Sequence, residues 1–201
     1  MKSKLKNYSL RYVTPAHQSY EDLEAQYWSY DTLDRSDDPI YGADVPKSLI
    51  DNDSKIWNVG KKDPMFNEIG QKLTRVKDGA YLYFGMWKTT FSWHIEDMDL
   101  YGINYLHYGA PKTWYCVPPK HGYKLEKAAH DLFPEWGKHC FNFLRHKVCM
   151  MSPRLLAQRG VKVHKVVQEE RDLIIVFPHA YHAGFNHGFN IAEASNFGNP
   201  R

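Results

Sequence analysis

The chain has 201 residues, the length of one large domain, and the surface scaling of folded chains allows about 70% of its surface to be buried. Its 43% hydrophobic and 24% charged residues argue against intrinsic disorder, and no apolar run approaches the roughly 18 residues of a transmembrane helix. The net charge of +3 is too small to indicate a nucleic-acid partner, and three cysteines at unrelated spacings do not indicate a disulfide framework. We therefore expect one domain over residues 1–201, with no direct nucleic-acid motif and no membrane segment.

Helices are predicted at four places from capping residues and apolar spacing. A capping box at residues 19–22 opens the first, and an Asp-Pro pair at residues 63–64 opens the second. The third runs from about Pro119 to a point before Pro134, and the fourth occupies residues 152–160, from Ser-Pro to a glycine. An acidic loop at residues 31–38 separates the first two.

Strand patterns fill the rest of the chain. Runs rich in aromatic and β-branched residues lie at 80–87, 89–93, 101–108, 113–117, 172–177 and 190–197. Residues 109–112 (GAPK) are typical of a hairpin turn, and residues 172–177 (DLIIVF) are typical of a buried strand. Because these strands do not alternate regularly with helices, the sequence predicts a mainly β fold with helical decoration, an antiparallel barrel or jelly roll.

Histidines and aromatic residues are numerous for this length. There are 11 histidines, 14 tyrosines, 10 phenylalanines and 6 tryptophans. Aromatic residues fill wide cores and line pockets, and histidine is the commonest metal ligand. Composition alone leaves open an aromatic core with surface histidines or a metal site.

The sharpest local motif is His94-Ile95-Glu96. On a strand, residues two apart point to the same face, so an imidazole and a carboxylate lie side by side. With a second histidine they would form the two-histidine, one-carboxylate triad of non-haem Fe(II) oxygenases. Three downstream histidines, His179, His182 and His187, could supply it, and periodicity does not choose among them. A histidine-rich turn with hydrogen-bonded imidazoles is the alternative.

Longer motifs resemble a known family. The run at residues 81–107 (YLYFGMWKTTFSWHIEDMDLYGINYLH) is similar to the iron-binding core of the JmjC histone lysine demethylases, and within them to the JmjN/JmjC subgroup that acts on trimethylated histone H3 lysine 9 and lysine 36. Residues 39–44 (PIYGAD), 141–147 (FNFLRHK) and 181–190 (YHAGFNHGFN) resemble the same subgroup in the same order.

The resemblance implies a double-stranded β-helix, the cupin-like jelly roll of JmjC domains, and an Fe(II)- and 2-oxoglutarate-dependent dioxygenase. It selects His182 as the third iron ligand beside His94 and Glu96. It implies 2-oxoglutarate contacts from Tyr41, Asn104 and Lys112. Phe91 and Trp114 would form the walls of that pocket, and Lys147 would lie near the oxygen side.

For the substrate, the resemblance implies a methylated histone H3 tail. Contacts with the methylammonium would come from Tyr83, Asn196 and Glu96, with Ala194 lining the same pocket. Ala194 and Gly102 stand where members of the subgroup carry serine, so the preferred methylation state and histone lysine are left open. Acidic residues at 31–38, together with Asp97 and Asp99, are expected to attract the basic tail.

A zinc site is implied only in part. Cys140 and His146 match two of the subgroup's four zinc ligands, whereas the Cys-x-Cys that completes that site and the upstream JmjN segment are expected to be absent from residues 1–201. The implied reaction is oxidative demethylation of histone H3 lysine in the nucleus, releasing formaldehyde, succinate and CO₂. A JmjC protein hydroxylase, and a truncated form that binds substrate but turns over poorly, are the alternatives.

Overall fold

The computed structural model describes residues 13–29, 39–51, 53–54, 58–59 and 79–198, and these form two antiparallel β-sheets with helices on one side. The helices are α1 (Tyr20–Tyr27), α2 (Gly122–Leu132), α3 (Pro134–His139) and α4 (Pro153–Ala157). The strands are β1 (Gly42–Pro46), β2 (Tyr81–Gly85), β3 (Thr90–His94), β4 (Tyr101–Gly109), β5 (Lys112–Val117), β6 (His164–Gln168), β7 (Leu173–Val176), β8 (Tyr181–Asn186) and β9 (Asn190–Phe197). Within the described residues, none of the helices has the length and apolar character needed to span a bilayer.

Strands that follow one another in the chain mostly belong to different sheets. The large sheet has the order β1-β2-β9-β4-β7, and the small sheet has the order β3-β8-β5-β6. All the pairings are antiparallel. This arrangement is the jelly roll that the sequence predicted.

The two faces of the small sheet have different surroundings. On one face, Trp93, Tyr115 and Phe185 are fully buried and belong to the main apolar core, together with Leu23 of α1 and Leu125 of α2. Alternate residues point to the other face, which looks into the space between the sheets. The helices therefore anchor the small sheet from outside and leave its inner face free to line a cavity.

Gly184 of β8 shows how tightly that inner face is packed. A Cβ atom at this position would overlap the carbonyl oxygen of Thr113 and the ring of Phe91. A glycine in a strand interior often marks such a close approach. Only the bare backbone of Gly184 lets the Phe91 ring lie against β8.

Three of the four predicted helices lie in the described residues, and all three are confirmed. The Ser19 hydroxyl caps α1 by accepting a hydrogen bond from the Asp22 amide, and the Ser152 hydroxyl caps α4 in the same way from the Leu155 amide. The third helix is α2, preceded by a short 3₁₀ turn at Pro119–His121. The predicted helix at residues 63–64 and the acidic loop at 31–38 lie outside the described residues.

Two strand predictions are wrong in part. Residues 109–112 do not form a hairpin, because β4 pairs with β7 and β9 whereas β5 pairs with β6 and β8. The turn instead crosses between the sheets and bonds to the β8–β9 connection, since Ala110 donates to the Phe189 carbonyl and the Pro111 carbonyl accepts from His187. The strand within 172–177 is not buried throughout, because Ile175 and Phe177 face solvent.

Candidate metal centre and cavity

His94 and His182 are direct neighbours across the small sheet. They pair in register on β3 and β8, and their ring centroids lie 4.2 Å apart. Glu96 follows two residues after the end of β3. One ligand atom from each of these three side chains lies within 4.8 Å of the others, and no other cluster of this kind is found among the described residues. Two imidazoles and a carboxylate at these distances fit a divalent metal such as Fe(II).

Hydrogen bonds fix the orientation of the three candidate ligands. The Nδ1 atoms of His94 and His182 lie 2.7 and 3.0 Å from the carbonyl oxygens of Ser92 and Ala180. With the proton on each Nδ1, each Nε2 keeps its lone pair for a metal. The amide of Asn196 donates to Oε2 of Glu96 at 2.9 Å, whereas Oε1 lies 3.4 Å from Nε2 of His182.

The protonation states also suit metal binding. Burial lowers the pKa of His94, and the neighbouring His182 lowers it further, so this imidazole is neutral. Burial acts to raise the pKa of Glu96, but its contact with the His182 ring and the hydrogen bond from the Asn196 amide outweigh it and lower the pKa below its usual range. A neutral imidazole and an ionised carboxylate are the forms that bind metals.

The other two histidines considered from the sequence lie apart from this group. His179 is 61% exposed in a turn and approaches Asp99 at 3.7 Å. His187 is buried on the helix side, where its Nε2 lies 2.6 Å from the Thr113 hydroxyl. The structure therefore brings His182, and neither of its two neighbours, next to His94 and Glu96.

The candidate ligands lie in a cavity of about 400 Å³ between the two sheets. All the side chains that the resemblance assigns to the cosubstrate and the substrate line this cavity, namely Tyr41, Tyr83, Phe91, Asn104, Lys112, Trp114, Lys147, Ala194 and Asn196. Its volume matches that of small-molecule sites in proteins.

Lys112 places a buried amine in the cavity at the start of β5, four residues along that strand from Cys116, which pairs with His182. It is 2% exposed, its ammonium donates to Oδ1 of Asn186, and the ring of Phe91 lies 5.8 Å below it. Burial lowers its pKa to about 7. No carboxylate among the described residues forms an ion pair with it, so this end of the cavity fits a small anion.

Asn186 is a site residue that the sequence analysis missed. It pairs in register with Lys112, and its amide nitrogen donates to the Thr89 hydroxyl at 2.7 Å. A hydrogen bond with Asn186 also acts on Tyr41, whose pKa burial raises to about 12. Asn186 thereby ties the Lys112 ammonium and the Tyr41 phenol to one rigid point.

Asn104 and Trp114 are joined by a second missed residue, Gln168. The fully buried Gln168 amide donates to Oδ1 of Asn104 at 3.1 Å and accepts from the indole of Trp114 at 2.9 Å. The Asn104 oxygen is thus engaged, which leaves its NH₂ group to face the cavity. Trp114 also packs edge-on against Phe91 at 4.7 Å, and these two rings form an apolar wall.

On the side of the cavity formed by β2 and β9, Tyr83 is held by Asp44. The phenol donates to the Asp44 carboxylate at 2.8 Å, and the Tyr41 ring lies 6.2 Å away. Asp44 was not singled out from the sequence, and its φ of 55° is a left-handed conformation that a sequence pattern does not reveal. Ala194 and Asn196 line the same side from β9.

The rim of the cavity is crossed by ion pairs. Lys147 binds Asp97 at 3.1 Å, and Arg145 approaches Asp99 at 3.3 Å. These aspartates were expected to attract a basic peptide, but the structure pairs each with a cation of the same chain. The acidic loop at 31–38, which carried the rest of that expectation, lies outside the described residues.

Cys140 and His146 lie away from the cavity. Cys140 follows α3 and is half-buried, whereas His146 is exposed at the end of a 3₁₀ turn at Phe143–His146. Among the described residues, these two are not joined by a third histidine, cysteine or carboxylate in a metal-sized group. Within the described part of the chain, the predicted zinc site therefore gains no further ligand.

Comparisons with known proteins agree with this geometry. The sequence profile described as "JmjC domain, hydroxylase" matches residues 81–197. Over 196 residues the chain is 50% identical to the human "Probable lysine-specific demethylase 4F" and 51% identical to the rat "Lysine-specific demethylase 4D", which covers 96% of this chain and 30% and 38% of those proteins. It is 48% identical to the mouse "Lysine-specific demethylase 4B" over 192 residues, 94% of this chain and 17% of that protein.

The chain thus spans less than half the length of these curated relatives. The profile nevertheless covers more than half of the chain, and its matched range contains both strands that carry the candidate metal-binding histidines. This chain belongs to the JmjC domain family.

Proposed function

We propose that this chain is an Fe(II)- and 2-oxoglutarate-dependent dioxygenase that demethylates a methylated lysine of histone H3 and acts on chromatin in the nucleus. The observation that carries this proposal is the pairing of two sites in one cavity. A two-histidine, one-carboxylate group stands at one end, and the buried, unpaired Lys112 stands at the other. The names of the three relatives, which are all lysine-specific demethylases, support a methylated lysine as the substrate.

His94, Glu96 and His182 would hold the iron, because they bring two imidazoles and an ionised carboxylate together in one place. Three protein ligands leave coordination positions free for other molecules. Bound iron with 2-oxoglutarate supplies the oxidation of a methyl C–H bond by dioxygen, with succinate and CO₂ as the products of the cosubstrate. The hydroxymethyl group formed on the amine then leaves as formaldehyde, which completes the demethylation.

The residues at the Lys112 end would bind and orient the 2-oxoglutarate dianion. Lys112 and Tyr41 can both donate to its distal carboxylate, and charge-assisted hydrogen bonds of this kind are the strong ones. The NH₂ group of Asn104 can donate to the end of the molecule nearer the metal ligands. Phe91 and Trp114 exclude water from the methylene carbons between the two ends.

The opposite side would present the methylated lysine to the metal. Tyr83 and Asn196 flank this side, and Glu96 is both a candidate ligand and part of the pocket wall. Because oxidation of a methyl group needs no lone pair on nitrogen, a quaternary trimethyl-lysine is an acceptable substrate. Ala194 also lines this side, and Lys147 lines the cavity near Asp97.

Mass spectrometry of trimethylated histone H3 peptides tests this proposal. The chain is incubated with a peptide trimethylated at lysine 9 or lysine 36, Fe(II), ascorbate and 2-oxoglutarate. We expect stepwise loss of methyl groups and release of formaldehyde, and neither with the His182→Ala variant as control. If iron and 2-oxoglutarate bind but every methylated peptide is returned unchanged, demethylation is not the activity of this chain.

A JmjC protein hydroxylase is the second candidate, and the word "hydroxylase" in the matching profile's description favours it. A hydroxylase leaves a stable alcohol on a side chain and releases no formaldehyde. Methylated and unmethylated peptides assayed in parallel for both formaldehyde and added oxygen separate the two candidates. Binding of a methylated peptide without either product would indicate a form that binds but turns over poorly.

A further inference from the structure

The chain's modest net charge conceals a local concentration of positive charge. Five cationic or titratable side chains lie at one end of the small sheet, and we name them the basic patch. Two elements contribute them: the segment that leaves β5 and enters α2, and the segment that enters β6. The members are Lys120, His121, Lys124, Lys162 and His164.

The sheet register brings these two segments together. Cys116, near the end of β5, pairs with His164, the first residue of β6. Chain leaving β5 and chain entering β6 therefore run side by side, although they lie more than forty positions apart. The pKa of His121 agrees with this placement, since it is lowered by desolvation and then by the positive charges of the rest of the patch.

The lysines of the basic patch have no ion-pair partner among the described residues, whereas three other lysines of the chain do. Lys138, Lys147 and Lys165 each bind a carboxylate. Among the residues that the structure describes, the ammonium groups of Lys120, Lys124 and Lys162 form no ion pair or hydrogen bond, and Lys120 and Lys162 are exposed. Their charge is thus directed outward and is free to meet a polyanion.

The patch lies at the same end of the small sheet as the candidate metal ligands. A single row of paired residues crosses the four strands, in the order His94, His182, Cys116 and His164. The row begins at the metal centre and ends in the basic patch. A partner bound at the patch would therefore lie beside the metal-binding end of the barrel.

We propose that the basic patch binds the phosphate backbone of double-stranded DNA, which would hold the chain next to a DNA-wrapped histone. The choice of this polyanion rests on the function proposed above, because histones in chromatin are wrapped in duplex DNA. Lysines and histidines without base-reading side chains suit sequence-independent phosphate contacts. Single-stranded nucleic acid is bound with several stacking rings, whereas Tyr123 is the one exposed tyrosine, phenylalanine or tryptophan among the described neighbours at residues 118–124 and 161–165.

The expected salt dependence follows from the number of lysines. Each phosphate neutralised contributes about −0.9 to the slope of log affinity against log salt concentration, so three lysines give a slope of about −2.7. Loss of two contacts should reduce the slope by about 1.8. From the same relation, the factor by which one lost phosphate contact weakens binding should be about eightfold larger at 0.1 M salt than at 1 M salt.

Fluorescence anisotropy with a labelled duplex of unrelated sequences tests the proposal. The patch variant is Lys120→Gln with Lys162→Gln. The control is Lys47→Gln with Arg171→Gln, which removes the same charge at two exposed positions, one just after β1 and one in the turn before β7. We expect the patch variant to lose most of its affinity for the duplex. The slope of its log affinity against log salt concentration should be smaller in magnitude by about 1.8, whereas the control should bind the duplex like the wild type. Neither variant should change the turnover of a free methylated peptide.

Equal DNA affinity of the patch variant and the control would overturn the proposal, and so would absence of binding by the wild type at low salt. Tighter binding to single-stranded RNA or to anionic lipid vesicles than to the duplex would overturn the choice of DNA. Since DNA binding is measured without peptide, iron or 2-oxoglutarate, its result is independent of whether the chain is a demethylase. Unchanged thermal unfolding of the variants excludes misfolding as the cause of a loss.

Discussion

The carboxylate of Glu96 lies directly against the backbone of Gly102. A Cβ atom built on Gly102 would overlap Oε1 of Glu96 and lie 2.9 Å from its carboxyl carbon. Gly102 pairs in register with Asn196, whose amide holds the other oxygen of Glu96. In this chain the Glu96 carboxylate occupies the space that a side chain at position 102 would fill, and the Asn196 amide holds it there.

Replacement of Gly102 by valine should therefore displace the carboxylate and weaken metal binding. Mutations beside metal ligands commonly cost about 10- to 100-fold in affinity, and we expect a loss in that range. Titration with Co(II) as a spectroscopic probe measures it. The control is Tyr105→Val on the same strand, and Co(II) affinity equal to that of the control would show that Glu96 does not need this space.

Removal of one histidine at a time distinguishes ligands from neighbours. His182→Ala should abolish tight iron binding and turnover, because the structure places this imidazole opposite His94. His179→Ala and His187→Ala should keep the iron, since the first faces solvent and the second bonds to Thr113 on the helix side. Iron content after equilibrium dialysis is the measurement, and full iron content in the His182 variant would rule out the triad.

Loss of the Lys112 ammonium should weaken 2-oxoglutarate binding. A hydrogen bond to a charged group contributes roughly 1.5–3 kcal/mol, so Lys112→Ala should raise the apparent KM for 2-oxoglutarate by roughly 10- to 150-fold. Lys112→Met, which keeps most of the volume without the charge, should show a similar increase. An unchanged KM in both variants would mean that the anion binds elsewhere.

The same lysine predicts a pH dependence. Burial lowers its pKa from 10.5 to about 7, so the free protein loses this charge as the pH rises through about 7. Affinity for 2-oxoglutarate should fall above that pH, and the fall should be absent in Lys112→Met. Between pH 7 and 10.5 the unfolded chain binds more protons at this group than the folded chain, so its contribution to the free energy of unfolding rises with pH there. Calorimetric titration with 2-oxoglutarate at pH 6, 7 and 8 measures the predicted fall in affinity.

Zinc should not accompany iron in stoichiometric amounts. Structural zinc takes four ligands, and the described residues bring no third one to Cys140 and His146. Cys140→Ser should therefore leave the metal content unchanged. Elemental analysis after loading with both metals decides it, and one zinc per chain that survives mild chelation would contradict this expectation.

Local patterns were sufficient for the elements that are defined by their own residues. The caps at Ser19 and Ser152 and the aromatic and β-branched residues of β2, β4 and β9 are properties of neighbouring residues, and the helices and strands follow from them. The His-x-Glu motif was visible for the same reason. The family resemblance, and with it the jelly roll, is confirmed by the matching profile and the relatives.

Features that depend on which strands pair, and in which register, could not be predicted from local sequence patterns. β8 (YHAGFN) has no simple alternation because it is buried on both faces, so the sequence alone did not choose among three histidines. Asn186 and Gln168 act only because register places them beside Lys112 and Trp114. The turn at 109–112 looks like a hairpin locally, but only the two sheets decide which strands it joins.

The pairing of His94 with His182 also affects the stability of the folded chain. These two residues are remote in the sequence, and they belong to neighbouring strands of the small sheet. A ligand that binds only the folded state stabilises it in proportion to its affinity and concentration. Iron bound across β3 and β8 would thus act as a removable cross-link, and thermal unfolding of the chain would report how much iron it carries.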